Sequence, residues 1–399
     1  MRWPKQKIGC LFDVQLGKML SEKARTGNQY PYLANFNVRW GSFDLSCLNQ
    51  MAFSEKEREK FVIKKGDLLM CEGGEIGRCA VWGDDQCSFF YQKALHRLRP
   101  LDDRMNPYFL YYFILHISTK GNLLKLAGET SFAHLTQEKL IDLMVPVPPR
   151  HLQDQICELL MSWDTAFEKT GKLMEAKEKR FSGLLNRFLN QGSMKDEWRR
   201  GKLRDVVEIN KGQQLNVADM LDTGKYYALN GGIEPSGFTN NWNTPKNTIT
   251  ISEGGNSCGF VNFNTEKFWC GGHCYALNNL SSEVSHKYLY HFLKACERSL
   301  MSMRVGSGLP NIQKKDLQDF PVTFPSLSEQ KQIVAVLDTG RQEIDILKKH
   351  AEAYRKQKRG LMQKLLTGHW RVAAREEVDS IDDMDEMDKT MDERAMKNG

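Results

Sequence analysis

A stretch of 44 residues, Pro148–Gln191, recurs without a gap 177 positions later as Pro325–Gly368. Twelve of the aligned positions are identical, whereas roughly 6% identity is expected between unrelated segments. A segment of about 40 residues, at roughly 1.5 Å per residue, makes a helix near 60 Å long, more than a small domain can cover. The repeat therefore predicts two long helices, each of which needs an elongated partner.

Apolar side chains in the first copy fall on two seven-residue tracks. The tracks are Ile156, Trp163 and Leu184, and Leu160, Phe167, Met174, Phe181 and Phe188. This pattern is typical of a coiled-coil seam, although periodicity alone also fits two helices that each face the core of their own domain. If the two copies pack together, the aromatic residues of the first should lie against Ile344, Leu347, Tyr354 and Leu361 of the second.

The segments that precede the two helices also resemble each other. Trp198–Asp205 matches the residues from Trp3 to Ile8, and Glu253-Gly254-Gly255 matches Glu72-Gly73-Gly74. The offset between matched positions falls from 195 to 177 along the chain, which indicates a shared framework with loops of different length. Short apolar runs separated by glycine-rich turns predict that both segments are rich in strands.

These patterns predict an α+β fold with a pseudo-twofold internal repeat, in which two strand-rich domains are separated by two long antiparallel helices that form a coiled-coil spacer. The expected segments are a first domain over 1–147, a central helix over 148–192, a second domain over 193–324, a C-terminal helix over 325–370 and a tail over 371–399. The tail contains 5 Lys and Arg against 10 Asp and Glu, and we expect it to be acidic and disordered.

Charge and hydropathy limit the function classes. The net charge is +6, and because the tail is acidic, residues 1–370 carry +11, which permits a polyanionic partner. No run of 18 apolar residues occurs, so we expect a cytoplasmic protein without a membrane segment. Ten cysteines without dense, regular spacing are typical of reduced thiols.

Motifs for catalysis or cofactor binding are weak. The run Glu72–Gly77 looks like a nucleotide loop, but its twin keeps only the paired glycines, which favours a structural turn. Cys258, Cys270, His273 and Cys274 include no Cys-x-x-Cys pair, which favours buried thiols over a zinc site. We therefore predict a chain with no catalytic, cofactor-binding or metal site.

The segment Pro325–Ile333 reads PSLSEQKQI, and the helix that follows it ends RGLMQKLLTG at Gly368. These motifs, with the alternation of domain and helix over about 370 residues, resemble the DNA specificity subunit of type I restriction-modification systems. The first copy departs from the motif, because it has Leu152-Gln153 in place of Glu329-Gln330. The resemblance implies that each strand-rich segment is a target recognition domain reading one half of an asymmetric bipartite site in double-stranded DNA.

The resemblance also implies partners and site residues. It implies two modification subunits, which carry methyl transfer, and restriction subunits bound through them. For the subunit-binding surface we expect Pro148, Gln153, Ile156, Pro325, Glu329, Gln330 and Ile333. For DNA contact we expect loop residues of suitable chemistry, namely Lys18, Thr130, Ser131, Lys211, Gln213, Gln214, Asn240, Asn241 and Ser307. The alternative is a coiled-coil adaptor without sequence-specific DNA binding.

Overall fold

The computed structural model describes residues 3–22, 26–84, 88–127, 134–190, 197–306 and 310–370. The chain divides into two compact units, which cut across the linear segments expected from the sequence. Unit 1 holds the described residues up to Lys169 and those from Ala351 onward, and unit 2 runs from Thr170 to His350. The tail over 371–399 lies outside the described residues.

Unit 1 combines short strands with short helices. Its strands are β1 (Lys5–Lys7), β2 (Phe12–Leu16), β3 (Gln29–Leu33), β4 (Val38–Arg39), β5 (Ser42–Phe43), β6 (Asn49–Ala52), β7 (Leu68–Cys71), β8 (Cys79–Val81), β9 (Phe90–Tyr91), β10 (Leu95–Pro100) and β11 (Met144–Pro146). Its short helices are α1 (Glu55–Phe61), α2 (Pro107–Thr119), α3 (Asn122–Ala127) and α4 (Gln137–Ile141). Helix α2 begins at Pro107, which follows the N-cap residue Asn106.

Three sheets form the body of unit 1. The strand orders are β2-β10-β7-β8, β6-β3-β9 and β1-β11. Because side chains alternate across a strand, β7 serves two cores: Leu68 and Met70 pack toward α2, whereas Leu69 and Cys71 pack toward the three-stranded sheet. The four-stranded sheet is therefore buried on both faces.

Unit 2 repeats this arrangement. Its strands are β12 (Arg199–Lys202), β13 (Glu208–Lys211), β14 (Tyr226–Leu229), β15 (Gly237–Thr239), β16 (Thr248–Ser252), β17 (Val261–Asn264), β18 (Trp269–Cys270), β19 (Cys274–Asn278) and β20 (Pro321–Phe324). Its short helices are α6 (Leu203–Val206), α7 (His286–Ala295), α8 (Glu297–Ser302) and α9 (Lys314–Gln318).

The sheets of unit 2 have the orders β13-β19-β16-β17, β15-β14-β18 and β12-β20. Each order corresponds strand for strand to one in unit 1, including the parallel pairing of β3 with β9 and of β14 with β18. The internal repeat predicted from the sequence is confirmed, and the fold is the expected α+β class.

Two long helices complete the chain: α5 covers Arg150–Leu185 and continues into a π-helical turn at Asn186–Asn190, and α10 covers Leu327–Leu366. In unit 1, the start of α5 and the end of α10 share a core, in which Leu160 and Leu365 are both buried. In unit 2, the end of α5 and the start of α10 share the other core, through Leu189 and Leu337. Within each unit the two helices therefore run antiparallel.

Specific pairs fix the register of these helices. In unit 1, the rings of Trp163 and Tyr354 lie 5.8 Å apart in an edge-on arrangement, which confirms this expected contact, and Lys358 pairs with Asp164. In unit 2, Lys177 lies 2.7 Å from Glu343 and Lys348 lies 2.9 Å from Glu178. Aromatic packing and ion pairs therefore align the helices in both units.

A buried glutamine side chain joins each long helix to its domain. The Gln153 carbonyl accepts the backbone N–H of Asn106 at 2.7 Å, and its amide nitrogen donates to the carbonyls of Arg104 and Pro148, both at 2.8 Å. Arg104 and Asn106 lie just before α2, and Pro148 lies just before α5. A single side chain therefore satisfies backbone groups at the N-termini of two helices. Gln153 is fully buried.

The second copy repeats this joint with the same chemistry. The Gln330 carbonyl accepts the backbone N–H of Ser285, the N-cap of α7, at 2.9 Å. Its amide nitrogen donates to the carbonyls of Glu283 at 2.8 Å and of Pro325 at 2.9 Å. Gln330 is also fully buried.

These positions correct one expectation from the sequence. Six of the seven residues expected on the subunit-binding surface are buried inside their own unit, namely Pro148, Gln153, Ile156, Pro325, Gln330 and Ile333. Glu329 is partly exposed. The sequence motif therefore marks the attachment of each helix to its domain, because its polar and apolar members both face inward.

None of the helices in the described ranges is long and apolar enough to cross a membrane.

The joint at Gln330 can be tested by stability. We expect Gln330→Ala to lower the free energy of unfolding of unit 2 by about 1–3 kcal/mol, because the N–H of Ser285 and two carbonyls lose a buried partner. Gln332→Ala is the matched control, since Gln332 is exposed on the same helix. Denaturant unfolding compares the variants, and equal stabilities would contradict the assignment.

Candidate nucleic-acid interface

The turn between β18 and β19 in unit 2 organises the loops in which DNA contacts were predicted. It consists of Gly271, Gly272 and His273, between the strand residues Cys270 and Cys274. Backbone groups of this turn and its flanking cysteines bind three separate loops, so the positions of those loops are set together.

The first loop follows β13 and includes the predicted residues Gln213 and Gln214. The N–H of Gly212 donates to the Cys274 carbonyl, and the N–H of Gln213 donates to the Cys270 carbonyl, both at 2.9 Å. A Cβ atom at Gly212 would lie within 3.0 Å of the Gly271 carbonyl oxygen, so only glycine allows this approach. Both glutamine side chains are exposed at this loop.

The second loop, 230–232, follows β14. The N–H of Gly271 donates to the Leu229 carbonyl at 2.7 Å, and the N–H of Gly231 donates to the Cys274 sulfur at 3.1 Å. The Ser257 hydroxyl donates to the Gly231 carbonyl at 2.5 Å. Three bonds thus fix the position of this loop, in which no site was predicted from the sequence.

The third loop, 240–243, carries the predicted residues Asn240 and Asn241, both of which are exposed. The Asn243 side chain anchors it, because its carbonyl accepts the N–H of Cys270 at 2.7 Å and its amide donates to the Cys270 carbonyl at 3.0 Å. Trp242 is 43% exposed, with the Lys267 ammonium 4.2 Å from its ring centroid. The loop therefore presents amides, an aromatic ring and a cation.

Between the first two loops lies a polar pocket of about 520 Å³. Its side chains include Lys211, Asn230, Glu253, Ser257, His273 and Asn311. Glu253 accepts hydrogen bonds from Lys211 at 2.6 Å and from the Tyr275 hydroxyl at 3.0 Å. Burial and the nearby carboxylate raise the pKa of Tyr275, so the hydroxyl stays protonated as a donor.

The cysteines near this pocket are thiols packed in the interior. Cys258, Cys270 and Cys274 are each at most 2% exposed. In the described ranges, no three His, Cys, Asp or Glu side chains are grouped so that they could hold a metal ion. The Glu-Gly-Gly segments of both units are turns, as the comparison of the two copies indicated.

Unit 1 holds the loop after β2 by the same backbone contacts as the loop after β13 in unit 2, but the side chains on the two loops differ. A Cβ atom at Gly17 would lie within 3.0 Å of the Gln92 carbonyl oxygen, as Gly212 does with Gly271. The N–H of Lys18 donates to the Tyr91 carbonyl at 3.1 Å, which matches the bond between Gln213 and Cys270. The two units therefore hold equivalent loops in equivalent places.

Lys18 departs from its expected role as a DNA contact. Its ammonium donates to the Ala52 carbonyl and to the Glu57 carboxylate, both at 2.7 Å, and the Phe53 ring lies 4.9 Å away. The side chain is only 12% exposed, and its hydrogen bond lowers the pKa of Glu57. Lys18 is thus committed to an internal ion pair. Thr130, Ser131 and Ser307 lie outside the described residues.

Comparison with known proteins identifies relatives of this chain. A family model described as "Type I restriction modification DNA specificity domain" matches residues 2–178 and again 195–353. A putative type I specificity subunit of Mycoplasma pneumoniae is 34% identical over 183 residues, which is 44% of this chain and 48% of that relative. This chain thus matches about half the length of that relative.

Other relatives extend over nearly the whole chain. The putative type I restriction enzyme MjaX specificity subunit of Methanocaldococcus jannaschii is 22% identical, covering 93% of this chain and 94% of that protein. The crystal structure of a type I restriction-modification system S subunit from M. genitalium has a TM-score of 0.66 at 21% identity, covering 92% of this chain and 96% of that one. The fold is therefore shared with that structure.

The close approach at Gly212 leads to a paired prediction. We expect Gly212→Ala to destabilise unit 2 by about 1–3 kcal/mol, because a Cβ meets backbone atoms of Cys270 and Gly271 that cannot move independently. Gly183→Ala should instead stabilise it by about 0.5–1 kcal/mol, since this glycine is exposed in α5 with open space around it. Thermal denaturation compares the two, and shifts of the same sign would refute this assignment.

Proposed function

Because this chain belongs to the type I restriction-modification DNA specificity family, we propose that it is the non-catalytic subunit that selects the DNA site in such a complex. The match of the family model to both halves supports this assignment. Methyl transfer and cleavage are assigned to the modification and restriction subunits, which we propose as its protein partners. The DNA is double-stranded, and its site is asymmetric and bipartite.

The proposal rests on one observation: the same backbone contacts hold a loop in each unit, whereas the side chains on the two loops differ. Both units hold a loop against a glycine-requiring approach, at Gly17 and at Gly212. The side chain that follows is an internally paired Lys18 in unit 1 and an exposed Gln213 in unit 2. Two loops held by the same backbone contacts suit two segments of one DNA duplex, whereas different side chains on these loops suit two different base sequences. Each unit is thus proposed to read one half-site.

In unit 2 the exposed loop residues have the chemistry expected of base and phosphate contacts. Asn240, Asn241, Gln213 and Gln214 carry amides, which can bond base edges in the major groove, and Lys211 carries a cation suited to phosphate. Lys211 already pairs with Glu253, yet its side chain remains 53% exposed. We propose these five residues as DNA contacts of the second half-site.

The long helices are proposed to set the distance between half-sites and to dock two modification subunits. Docking needs exposed side chains, which the buried Gln153 and Gln330 joints do not supply. Exposed apolar residues of the helices, Leu173, Val336 and Ile346, are between 42% and 52% accessible and are better suited to this contact. Of the seven residues that the sequence predicted for the subunit-binding surface, only Glu329 is partly exposed and remains a candidate for docking.

The spacer role gives a direct test. Seven residues inserted after Lys169 and seven after His350 would lengthen both helices by about 10 Å, which is about three base pairs of duplex. The purified complex with its modification subunit should select two short motifs at a fixed gap from random duplexes, and the insertion should widen only the gap.

Two outcomes would contradict the proposal. If the original complex selected one continuous motif, or no motif, the chain would not read a bipartite site. If the insertion left the gap unchanged while both motifs persisted, the helices would not be the spacer. Weaker selection with rising salt is expected in every variant, because phosphate contacts release counterions.

A further inference from the structure

The two long helices leave an open groove between them in unit 2. It lies between the C-terminal part of α5 and the N-terminal part of α10, with a volume of about 370 Å³. Its apolar lining residues are Phe181, Leu184, Ala335, Val336 and Gly340. An apolar cavity of about 150 Å³ already accommodates a benzene ring. The groove is therefore large enough to receive an aromatic side chain.

Gly340 is the residue that keeps the α10 side of this groove open. A Cβ atom there would lie 3.1 Å from the Phe181 ring, so even a methyl group would press against that ring. Phe181 is half-buried and packs against the core of unit 2. Glycine therefore lets the ring lie against the backbone of α10 and places no side chain in the space beside it.

The internal repeat shows which side chain takes this position in unit 1. The offset of 177 between the two helix copies aligns Gly340 with Trp163 and Lys177 with Tyr354. In unit 1 the rings of Trp163 and Tyr354 lie 5.8 Å apart in an edge-on arrangement. An indole ring of the chain itself thus lies between the helices of unit 1, at the position that is open in unit 2.

Exposed apolar side chains of both helices continue the groove at one end. At that end Lys177 of α5 pairs with Glu343 of α10 at 2.7 Å. Leu173 lies four residues before Lys177, and Ile346 lies three residues after Glu343. Residues three or four apart share a helix face, so Leu173 and Ile346, which are 45% and 52% exposed, extend the surface of the groove. This continuous surface fits a protein partner better than a small molecule.

The rim of the groove suits the polar end of an aromatic side chain. Aromatic residues are the most frequent anchors of protein interfaces and fill pockets that are already formed. Tryptophan and tyrosine also bring an N–H or O–H that needs an acceptor. The hydrogen bond from Lys177 lowers the pKa of Glu343, so this half-exposed carboxylate stays charged and can accept it.

We infer that the groove in unit 2 receives one aromatic side chain of a modification subunit, at the position that Trp163 takes in unit 1. This inference rests on the proposed function and adds to it a contact and an asymmetry. Unit 1 supplies its own aromatic ring, whereas unit 2 takes one from the partner. The two modification subunits are therefore held by different contacts, although the helices of the chain are repeated.

The test measures the affinity of the purified full chain for its modification subunit by calorimetric titration. Gly340→Trp supplies a ring to the groove from within the chain. It should weaken the binding of one modification subunit by about 10-fold or more and leave that of the other unchanged. Val336→Asp places a charge in the groove without adding a ring, and the same loss is expected because the charge is desolvated on docking.

Gly171→Trp is the matched control. It adds the same ring to α5 on the face turned away from the groove, about two and a half turns before Arg180, where a Cβ atom meets open space. It should bind both modification subunits as the original chain does. Circular dichroism melting checks folding. If Gly340→Trp melts early, Val336→Asp is compared instead with Gln342→Asp, at an exposed position of α10 outside the groove.

The occupant is identified by substitutions in the partner. Each aromatic residue of the modification subunit is replaced by alanine in turn. One replacement should weaken binding to the original chain by about 10-fold or more. The same replacement should cause no further loss with Gly340→Trp, because both changes remove one shared contact.

Two results would overturn the inference. One is normal binding of both modification subunits by folded Gly340→Trp and Val336→Asp chains. The other is an alanine series in which no aromatic residue is coupled to position 340, which would leave the groove to another occupant, such as a second copy of this chain. If the original chain bound no modification subunit, the proposed function would fail and this inference with it. Failure of the inference alone leaves the binding of two modification subunits to the original chain intact.

Discussion

A buried glutamine amide at the start of each long helix is the interaction on which the architecture depends. Gln153 and Gln330 each bond the N-cap residue of a domain helix and the proline that precedes their own helix. A fully buried amide is tolerated only when its groups are paired, so the geometry of this contact is narrowly defined. The direction in which each helix leaves its domain is therefore set by a few short hydrogen bonds.

The antiparallel packing then makes each domain core dependent on both helices. Leu160 near the start of α5 and Leu365 near the end of α10 are buried in one core, whereas Leu337 and Leu189 are buried in the other. Unit 1 therefore joins residues up to Lys169 with residues from Ala351 onward, whereas unit 2 takes the end of α5 and the start of α10 from the continuous stretch between Thr170 and His350. This explains why the compact units cut across the order of the sequence, and why the helical repeat and the domain repeat occur together.

Much of this fold could be predicted from the repeat. Two segments with twelve identities and a shared apolar period require similar surroundings, and the contact of Trp163 with Tyr354 followed from antiparallel packing. The burial of Gln153 and Gln330 could not be predicted, because a polar side chain in a charged helix gives no sign that it faces inward. The recurrence of this glutamine in both copies indicated a shared role, but not whether the side chain packs within the chain or binds a partner.

The candidate site was predictable only in part, for related reasons. Lys18 has the right charge for DNA, but its pairing with Glu57 depends on a residue 39 positions away. Loop 230–232 was not selected from the sequence, because its position depends on contacts with Gly271, Cys274 and Ser257. The sequence shows the chemistry of each side chain, whereas contacts between distant segments decide whether that side chain is free to bind DNA.

The central claim is that the two units read two different short sequences at one fixed separation. It is tested most directly by mapping methylated bases in the genome of cells that carry the complete system, against cells from which only this chain is deleted. Our account predicts methylation at two short, dissimilar motifs with a constant number of unread base pairs between them, lost on deletion. A single continuous motif, or methylation that persists without this chain, would contradict it.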